Sequence, residues 1–515
     1  MIRALVLPLL SALLVIASFP PFDFGLLGLV ALAPLLLALD GARRPFLAGF
    51  GAGWVAFTGV AWWVYYAMAH FGGVPQFVAV PLTLLMTAIM AAFWGLFAWA
   101  RNRLRRALPG VPDLIIVPIL WTASEYLRAK LPDLEFPWAV LGLSLSRHLP
   151  LIQVADLGGV WAVSFLVALV GAGVAAFVRD SRGRSWTAGW KPLAAAMVVL
   201  VLCGSYGLFR LGQPAEGRGL RVAVVQGNVP QDVKWDRRFR EETFRTHEEL
   251  TRSAAGAGAD LVVWSESATA FVYQREPEYQ QRLAALVQES GTSLLFGSPA
   301  YETKAGKSSL RNRAYLLGTG GQVAGWQDKQ QLVPFGEFVP FKSVLFFARP
   351  LVQAVGNFEP GERPEVLTVP GGSFGTLVCY EVVFPDLVRR FSAAGAEFLV
   401  NITNDAWYER SAASSQQFAN LAFRAVENRR PIARSANTGI SGFVDIHGRV
   451  ISASELFVQG QYQTTLALSR RVTLYTAWGD WLPRLCVLIA IALLVVARFH
   501  PGRLLRNKFS KQHHG

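Results

Sequence analysis

Cysteine is nearly absent, three in 515 residues, which excludes a disulfide framework. Two of the three, Cys203 and Cys486, lie inside long apolar runs, so Cys379 is alone in the polar part of the chain. Acidic residues are also in short supply, 35 against 49 Lys and Arg, for a net charge of +14. That balance raises nucleic acid as a partner. The polar half has no basic-aromatic array, however, and nucleic-acid binding is set aside. Nearly all of the excess sits in short links between apolar runs: Arg3, then Arg43 and Arg44, then Arg101, Arg103, Arg105 and Arg106, then Arg179, Arg182 and Arg184, and five residues after Val496. Internal repeats and low-complexity segments are missing too, which argues against a solenoid or a disordered tail.

What is abundant is apolar sequence, 52% of the chain with a mean hydropathy of +0.34, values of an integral membrane protein. Eight runs approach the roughly 20 residues a bilayer requires, near 4–19, 24–40, 46–70, 75–100, 112–128, 160–178, 191–210 and 482–499. The basic clusters fall in alternate links and at both ends. The positive-inside rule then puts both termini in the cytoplasm. The polar insert between runs seven and eight, residues 218–475, faces the other side, which is the periplasm for a bacterial inner membrane. The expected organisation is seven spans over 1–210, a linker at 211–219, a catalytic domain at 220–470, an eighth helix at 476–500 and a basic cytoplasmic tail at 501–515. Residues 1–19 match the n- and h-regions of a signal peptide, but Ser18-Phe19-Pro20-Pro21 offers no small-x-small cleavage site. An anchored first helix is expected instead. Glu125, inside the fifth run, is the intramembrane carboxylate that stands out, with Arg128 one turn on as its expected partner.

The insert alternates strand-like and helix-like segments, as one layered α/β domain does. Strands are expected near 221–226, 261–264, 294–297, 313–317, 322–327, 376–378, 397–402, 432–435 and 442–445. Helices are expected near 238–255, 278–289, 386–394 and 415–428.

Three residues stand just past strands. Leu261-Val-Val-Trp-Ser-Glu266 ends in a carboxylate, Gln327-Asp-Lys329 in a lysine, and Thr376-Leu-Val-Cys379-Tyr-Glu381 in a thiol. A thiol is mostly protonated at neutral pH, so it needs a base, and a carboxylate serves if desolvation raises its basicity. Attack on an acyl carbon creates an oxyanion, which a lysine ammonium and the N–H of Tyr380 stabilise. Glu337, eight residues beyond Lys329, is expected to orient that lysine by a charge-assisted hydrogen bond. Glu381 is expected to shape the site or cap the next helix. Asn401-Ile-Thr403 matches a glycosylation sequon, read as coincidence on a strand.

These segments resemble the nitrilase superfamily, whose triad is Glu-Lys-Cys; Glu266, Lys329 and Cys379 match its three motifs in order. The arrangement of such a domain before the last of eight spans is similar to the apolipoprotein N-acyltransferase family over essentially the whole chain. Leu332-Val-Pro-Phe-Gly-Glu-Phe-Val-Pro, Asn401-Ile-Thr-Asn-Asp-Ala-Trp-Tyr, Gln226-Gly-Asn-Val-Pro-Gln and Asn437-Thr-Gly-Ile-Ser-Gly are similar to that family as well.

The resemblance implies a multi-span α-helical membrane domain of eight transmembrane helices plus an α/β nitrilase-like α-β-β-α sandwich. It implies a ping-pong acyl transfer through a Cys379 thioester. The acyl donor is a phospholipid, with phosphatidylethanolamine the expected one, and the acceptor is the α-amine of a diacylglyceryl apolipoprotein. Glu266 is the base and Lys329 the oxyanion holder, with Glu337, Tyr380 and Glu381 in support. Trp235 and Trp407 are the substrate-binding candidates. No metal or organic cofactor is implied, and a monomer is expected. Loops near Trp235, Phe338–Phe347 and Trp407 are expected to form an apolar lid. Two rivals remain at this point: a membrane-anchored amidase that uses the same triad on a small amide, and a transporter, against which the scarcity of polar residues in the spans speaks.

Overall fold

A computed structural model describes residues 2–183, 186–215, 217–304, 306–334, 336–338 and 358–499. The chain divides into two compact units. One gathers the residues up to Trp62, Val80–Leu208 and the chain from Asp480; the other gathers Trp63–Ala79 and Phe209–Gly479.

The first unit is helical. Its helices are α1 (Ile2–Ser18), α2 (Gly28–Leu39), α3 (Pro45–Ala61), α4 (Gln76–Ala107), α5 (Asp113–Ala129), α6 (Val160–Gly183) and α7 (Trp186–Leu211). The helix Trp481–Phe499 joins them from the far end of the sequence. Among the described residues, four helices are long and apolar enough to cross a bilayer, or five if Pro45–Ala61 and Trp63–Phe71 count as one broken span. Eight were expected. The runs near 4–19, 24–40 and 112–128 fold as shorter apolar helices of 17, 12 and 17 residues, each with an internal proline.

Small residues let these helices approach closely. A Cβ on Gly49 would sit 2.4 Å from the Trp94 carbonyl oxygen, and one on Gly173 would sit 2.8 Å from Ala196 Cβ. One polar cluster joins helix ends: fully buried Arg101 pairs with Asp113 at 2.6 Å and Asp40 at 2.8 Å, and Arg179 reaches Asp113 at 3.0 Å. Glu125 and Arg128 are electrostatically coupled, as expected of partners, and each takes a main-chain group as a hydrogen-bond partner. Glu125 accepts from the N–H of Leu141 at 2.7 Å. Arg128 donates to the Phe136 carbonyl at 3.1 Å, with its guanidinium over the Phe57 ring.

The second unit is built on two six-stranded sheets. Sheet one runs β12 (Gly460–Ala467), β1 (Gly219–Gln226), β2 (Leu261–Val263), β3 (Ser293–Lys304), β4 (Lys307–Leu317), β5 (Val323–Asp328). Sheet two runs β11 (Val450–Ala453), β10 (Gly442–Val444), β9 (Ile432–Ala436), β8 (Phe398–Thr403), β7 (Gly372–Val378), β6 (Val366–Val369). Both have parallel centres, β1-β2-β3 and β7-β8-β9, and antiparallel flanks. The Ser435 hydroxyl bonds the Val225 carbonyl at 2.8 Å, tying β9 of one sheet to β1 of the other.

Helices α8 (Arg240–Gly256) and α9 (Pro277–Ser290) cover sheet one. Helices α10 (Pro385–Ala393) and α11 (Ala413–Asn428) cover sheet two, which makes the α-β-β-α order. The reason is legible in α8: its buried positions Phe244, His247, Thr251 and Ala254 recur three and four apart and form one apolar stripe. That stripe meets Trp264 and Phe271 in a core that also holds Phe296, Tyr273 and Tyr315. Trp264 sits edge-on to Phe244 at 6.0 Å and satisfies its indole N–H on Thr251 at 2.8 Å.

Candidate active site

The chain just past the parallel strands β2 and β7 carries Glu266 and Cys379, and the chain just past β5 carries Lys329. Cys379 follows β7 directly and is 6% exposed, with φ +59° in the left-handed region that β-carbon-bearing residues avoid. The next four residues turn as a short 3₁₀ helix. This strained strand-to-helix corner thrusts the thiol out of the sheet. The strain is held by Asn401 of β8, whose amide donates to the Cys379 carbonyl at 3.0 Å and the Leu377 carbonyl at 3.1 Å. Asn401 is therefore fully buried and committed, so the sequon it heads is indeed a coincidence.

Glu266, Lys329 and Cys379 come together. The Cys379 thiol lies within electrostatic reach of the Glu266 carboxylate, with Thr403 beside it. Glu266 Oε1 accepts from Asn312 at 2.8 Å and from Lys329 Nζ at 3.4 Å, while Oε2 accepts from the Asn404 N–H at 2.9 Å. Glu337 meets Lys329 Nζ at 3.0 Å and Asn312 at 3.0 Å through Oε1, and the Val333 N–H at 2.8 Å through Oε2. Glu381 does not cap the following helix with its carboxylate. It accepts from the N–H groups of Gln330 at 2.6 Å, Gln331 at 3.0 Å and Val378 at 2.7 Å, pinning the loop after Lys329 to the end of β7. Tyr380 donates its hydroxyl to the Leu332 carbonyl at 2.6 Å, and its ring centroid lies 5.6 Å from Lys329 Nζ.

The electrostatics correct one expectation. Burial alone raises the basicity of Glu266, but Lys329, Asn312, Lys234 and the thiol together outweigh it and hold the carboxyl below its ordinary range. Burial, with the Glu266 charge, pushes Cys379 up to about 12. The resting pair is therefore neutral thiol and carboxylate. Lys329 is held charged well above its ordinary range, because Glu337 and Glu266 outweigh the cost of its burial. Burial raises Glu381, beside them, to about 7 despite its three N–H donors.

Trp235 is half exposed, beside the triad's neighbour Lys234 in sequence. Trp407 contacts the Phe71 ring at 5.9 Å, and Tyr408 packs edge-on against Trp63 at 5.0 Å while facing Cys379. Phe338 is described, but the remainder of the expected lid segment, 339–347, lies outside the described residues.

Sequence reasoning missed Lys234, Asn312, Thr403, Asp405 and Arg434. Fully buried Arg434 bonds Asp405 at 2.8 Å, Gln417 at 2.8 Å and the side-chain oxygen of Asn401, while Asp405 accepts from Thr403 at 2.7 Å. One guanidinium thus braces Asn401, which holds the Cys379 carbonyl, and Asp405, which holds Thr403. A signal existed in the polar run Asn401–Asp405, too polar for a central strand end unless it is doing chemistry.

Residues 11–173 match the family described as apolipoprotein N-acyltransferase N-terminal domain, and residues 221–474 match carbon-nitrogen hydrolase. An apolipoprotein N-acyltransferase from Geobacter metallireducens is 38% identical over 96% of this chain and 95% of its own length. Another from Methylococcus capsulatus is 32% identical over 93% of each. A solved amidase from Nesterenkonia sp. is 22% identical over 50% of this chain and 93% of its own, with a TM-score of 0.37. With identity of this extent running through both the helical half and the nitrilase-like half, the chain belongs to the apolipoprotein N-acyltransferase family.

Proposed function

We propose that Cys379 is the nucleophile of a ping-pong acyl transfer, with Glu266 as its base and Lys329 as its oxyanion partner. The protein is an acyltransferase of lipoprotein maturation. Its thiol attacks the sn-1 ester of a phospholipid, phosphatidylethanolamine, and its proton passes to Glu266 as the S–C bond forms. Because the thiol is held near 12 and the carboxyl low, thiolate builds up only in the transition state. The tetrahedral oxyanion is met by the Lys329 ammonium and the Tyr380 N–H. Collapse breaks the ester C–O bond, and Glu266 returns the proton to the leaving alcohol of the lysophospholipid.

In the second half, the free α-amine of the diacylglyceryl-cysteine attacks the thioester. Glu266 takes the amine's proton and delivers it to the departing sulfur, which restores the thiol and leaves an N-acyl amide. Glu337, Tyr380 and Glu381 hold this geometry, and Trp235 and Trp407 contact the lipid chains. The whole works as an eight-span monomer of a bacterial inner membrane, with both termini cytoplasmic and the catalytic domain periplasmic. Both substrates are lipids, and that gives so much apolar sequence its purpose.

The observation that carries this reading is the left-handed Cys379 corner beside a buried carboxylate, Glu266, that contacts a buried lysine at 3.4 Å. The test is intact mass of the purified protein after incubation with phospholipid, beside C379A. A gain of one acyl chain, labile to hydroxylamine, discharged by a diacylglyceryl peptide and absent from C379A, is expected. No such adduct would refute it.

A further inference from the structure

The loop between β1 and α8 carries a second lysine into the catalytic cluster. Lys234 is 3% exposed, and its ammonium donates to the main-chain carbonyl of Glu266 at 3.1 Å. Its charge is felt at the Glu266 carboxylate and at Cys379. His247 of α8 faces it from the other side, neutral, with Nδ1 2.8 Å from the Thr243 carbonyl.

The loop is fixed rather than draped. Asn437 accepts from the Val229 N–H at 3.0 Å and donates to the Val229 carbonyl at 2.8 Å. Gln231 accepts from Asn404 at 2.9 Å, the residue whose own N–H holds Glu266. Burying an ammonium costs several kcal/mol unless its charge is used.

Charge accounting shows the use. Lys329 stands between Glu337 and Glu266, so those three groups carry a net charge of −1. A thiolate forming there is opposed by that excess, and a second ammonium brings the cluster to neutrality. We propose that Lys234 is a positioning residue of the acylation step, anchoring the Glu266 main chain and supplying the second positive charge the forming Cys379 thiolate requires. This rests on Cys379 being the nucleophile.

Lys234 shares this cluster with His247, Cys379, Glu266 and Lys329. Burial holds Lys234 down to about 8 and His247 down to about 4, and pushes Cys379 up to about 12. Glu266 lies below its ordinary range and Lys329 well above its own. Glu381, raised to about 7, completes its ionisation near the start of the alkaline range, and above it Lys234 is the one of these groups that changes charge. It is charged below about 8 and loses its proton as pH rises. Acylation is therefore expected to decline on the alkaline side, whereas attack by the acceptor amine improves there, so the two half-reactions must be read separately.

The experiment is single-turnover acylation of the full-length protein in detergent by phosphatidylethanolamine, quenched and read by intact mass from pH 6 to 10. The unaltered protein is expected to slow about tenfold between pH 7 and 9.5, one pKa unit's worth. K234R, whose guanidinium stays charged, is expected to keep its neutral rate to higher pH. K234M is expected to be about tenfold slower throughout, without the alkaline decline and with an unchanged melting temperature. An unaltered protein whose acylation is flat to pH 10, or a K234R profile that keeps the decline, overturns the role of Lys234 alone. If neither variant folds, the unaltered profile decides. No adduct on the unaltered protein overturns the nucleophile with it.

Discussion

Asn312 donates its side-chain amide to Glu266 at 2.8 Å, from the middle of a strand rather than from its end. The same nitrogen lies 3.0 Å from Glu337, so one neutral amide spans the two carboxylates that flank Lys329. It separates like charges and fixes which face of Glu266 meets the thiol.

Replacing that amide by N312A leaves the two carboxylates to repel across Lys329. Single-turnover acylation is expected to fall by up to about a hundredfold, the cost of a misplacement near 1 Å. Thermal unfolding separates this from a folding defect.

Removing the base itself is more severe. E266Q keeps the size and the contact with Asn312 but cannot accept the thiol proton, and acylation is expected to drop by about 10²–10⁴. In the unaltered protein the low Glu266 pKa keeps the base ionised, so a fall in acylation between pH 7 and 6 belongs to Glu381, raised to about 7, and should vanish in E381Q. A fall that persists in E381Q would contradict the assignment.

Arg434 and Asp405 are both fully buried, so a lone R434M leaves an unpaired carboxylate in the core. The expected cost is about 3–5 kcal/mol in stability, measured by denaturant unfolding of the detergent-solubilised chain. Adding D405L should return part of it. A double variant no more stable than R434M would mean that the bonds to Asn401 and Gln417, not the charge, are what matter.

His247 makes stability pH-dependent. Its folded pKa is held at about 4 by burial, against an ordinary 6.5, so the unfolded chain binds the extra proton first. Stability is present above 6.5 and is lost as pH falls toward 4, by about 3 kcal/mol in all. H247F, which keeps the stacking on Trp264, should flatten the fall in melting temperature between pH 7 and 5.

The gathering of Glu266, Lys329 and Cys379 was legible because each lies just past a strand, and two of those strands are apolar runs whose periodicity breaks at a polar residue. Glu337 was legible through its spacing from Lys329. Lys234 was not, since it sits in a polar loop and only tertiary packing turns it inward. Asn312 alternates with Arg311 and Arg313 in a strand that reads as amphipathic. β12 was missed because its half-exposed Gln-Tyr-Gln-Thr-Thr run lacks an apolar face and gains its partner from 230-odd residues upstream. The strand Val450–Ala453 was missed for the same want of burial. Glu266 was read with its basicity raised, because apolar neighbours are visible in sequence and the four groups that oppose them are not.

β1 is made early and is completed late. Its antiparallel neighbour β12 leaves the ribosome only after residue 460, so at about 5–20 residues per second the edge of sheet one stays open for about 10–50 s. Throughout that interval β1 exposes an unsatisfied row of amides and carbonyls along one edge of sheet one. A chain stopped before residue 460 never covers that edge, and is expected to be a misfolding and aggregation hazard rather than a slower enzyme.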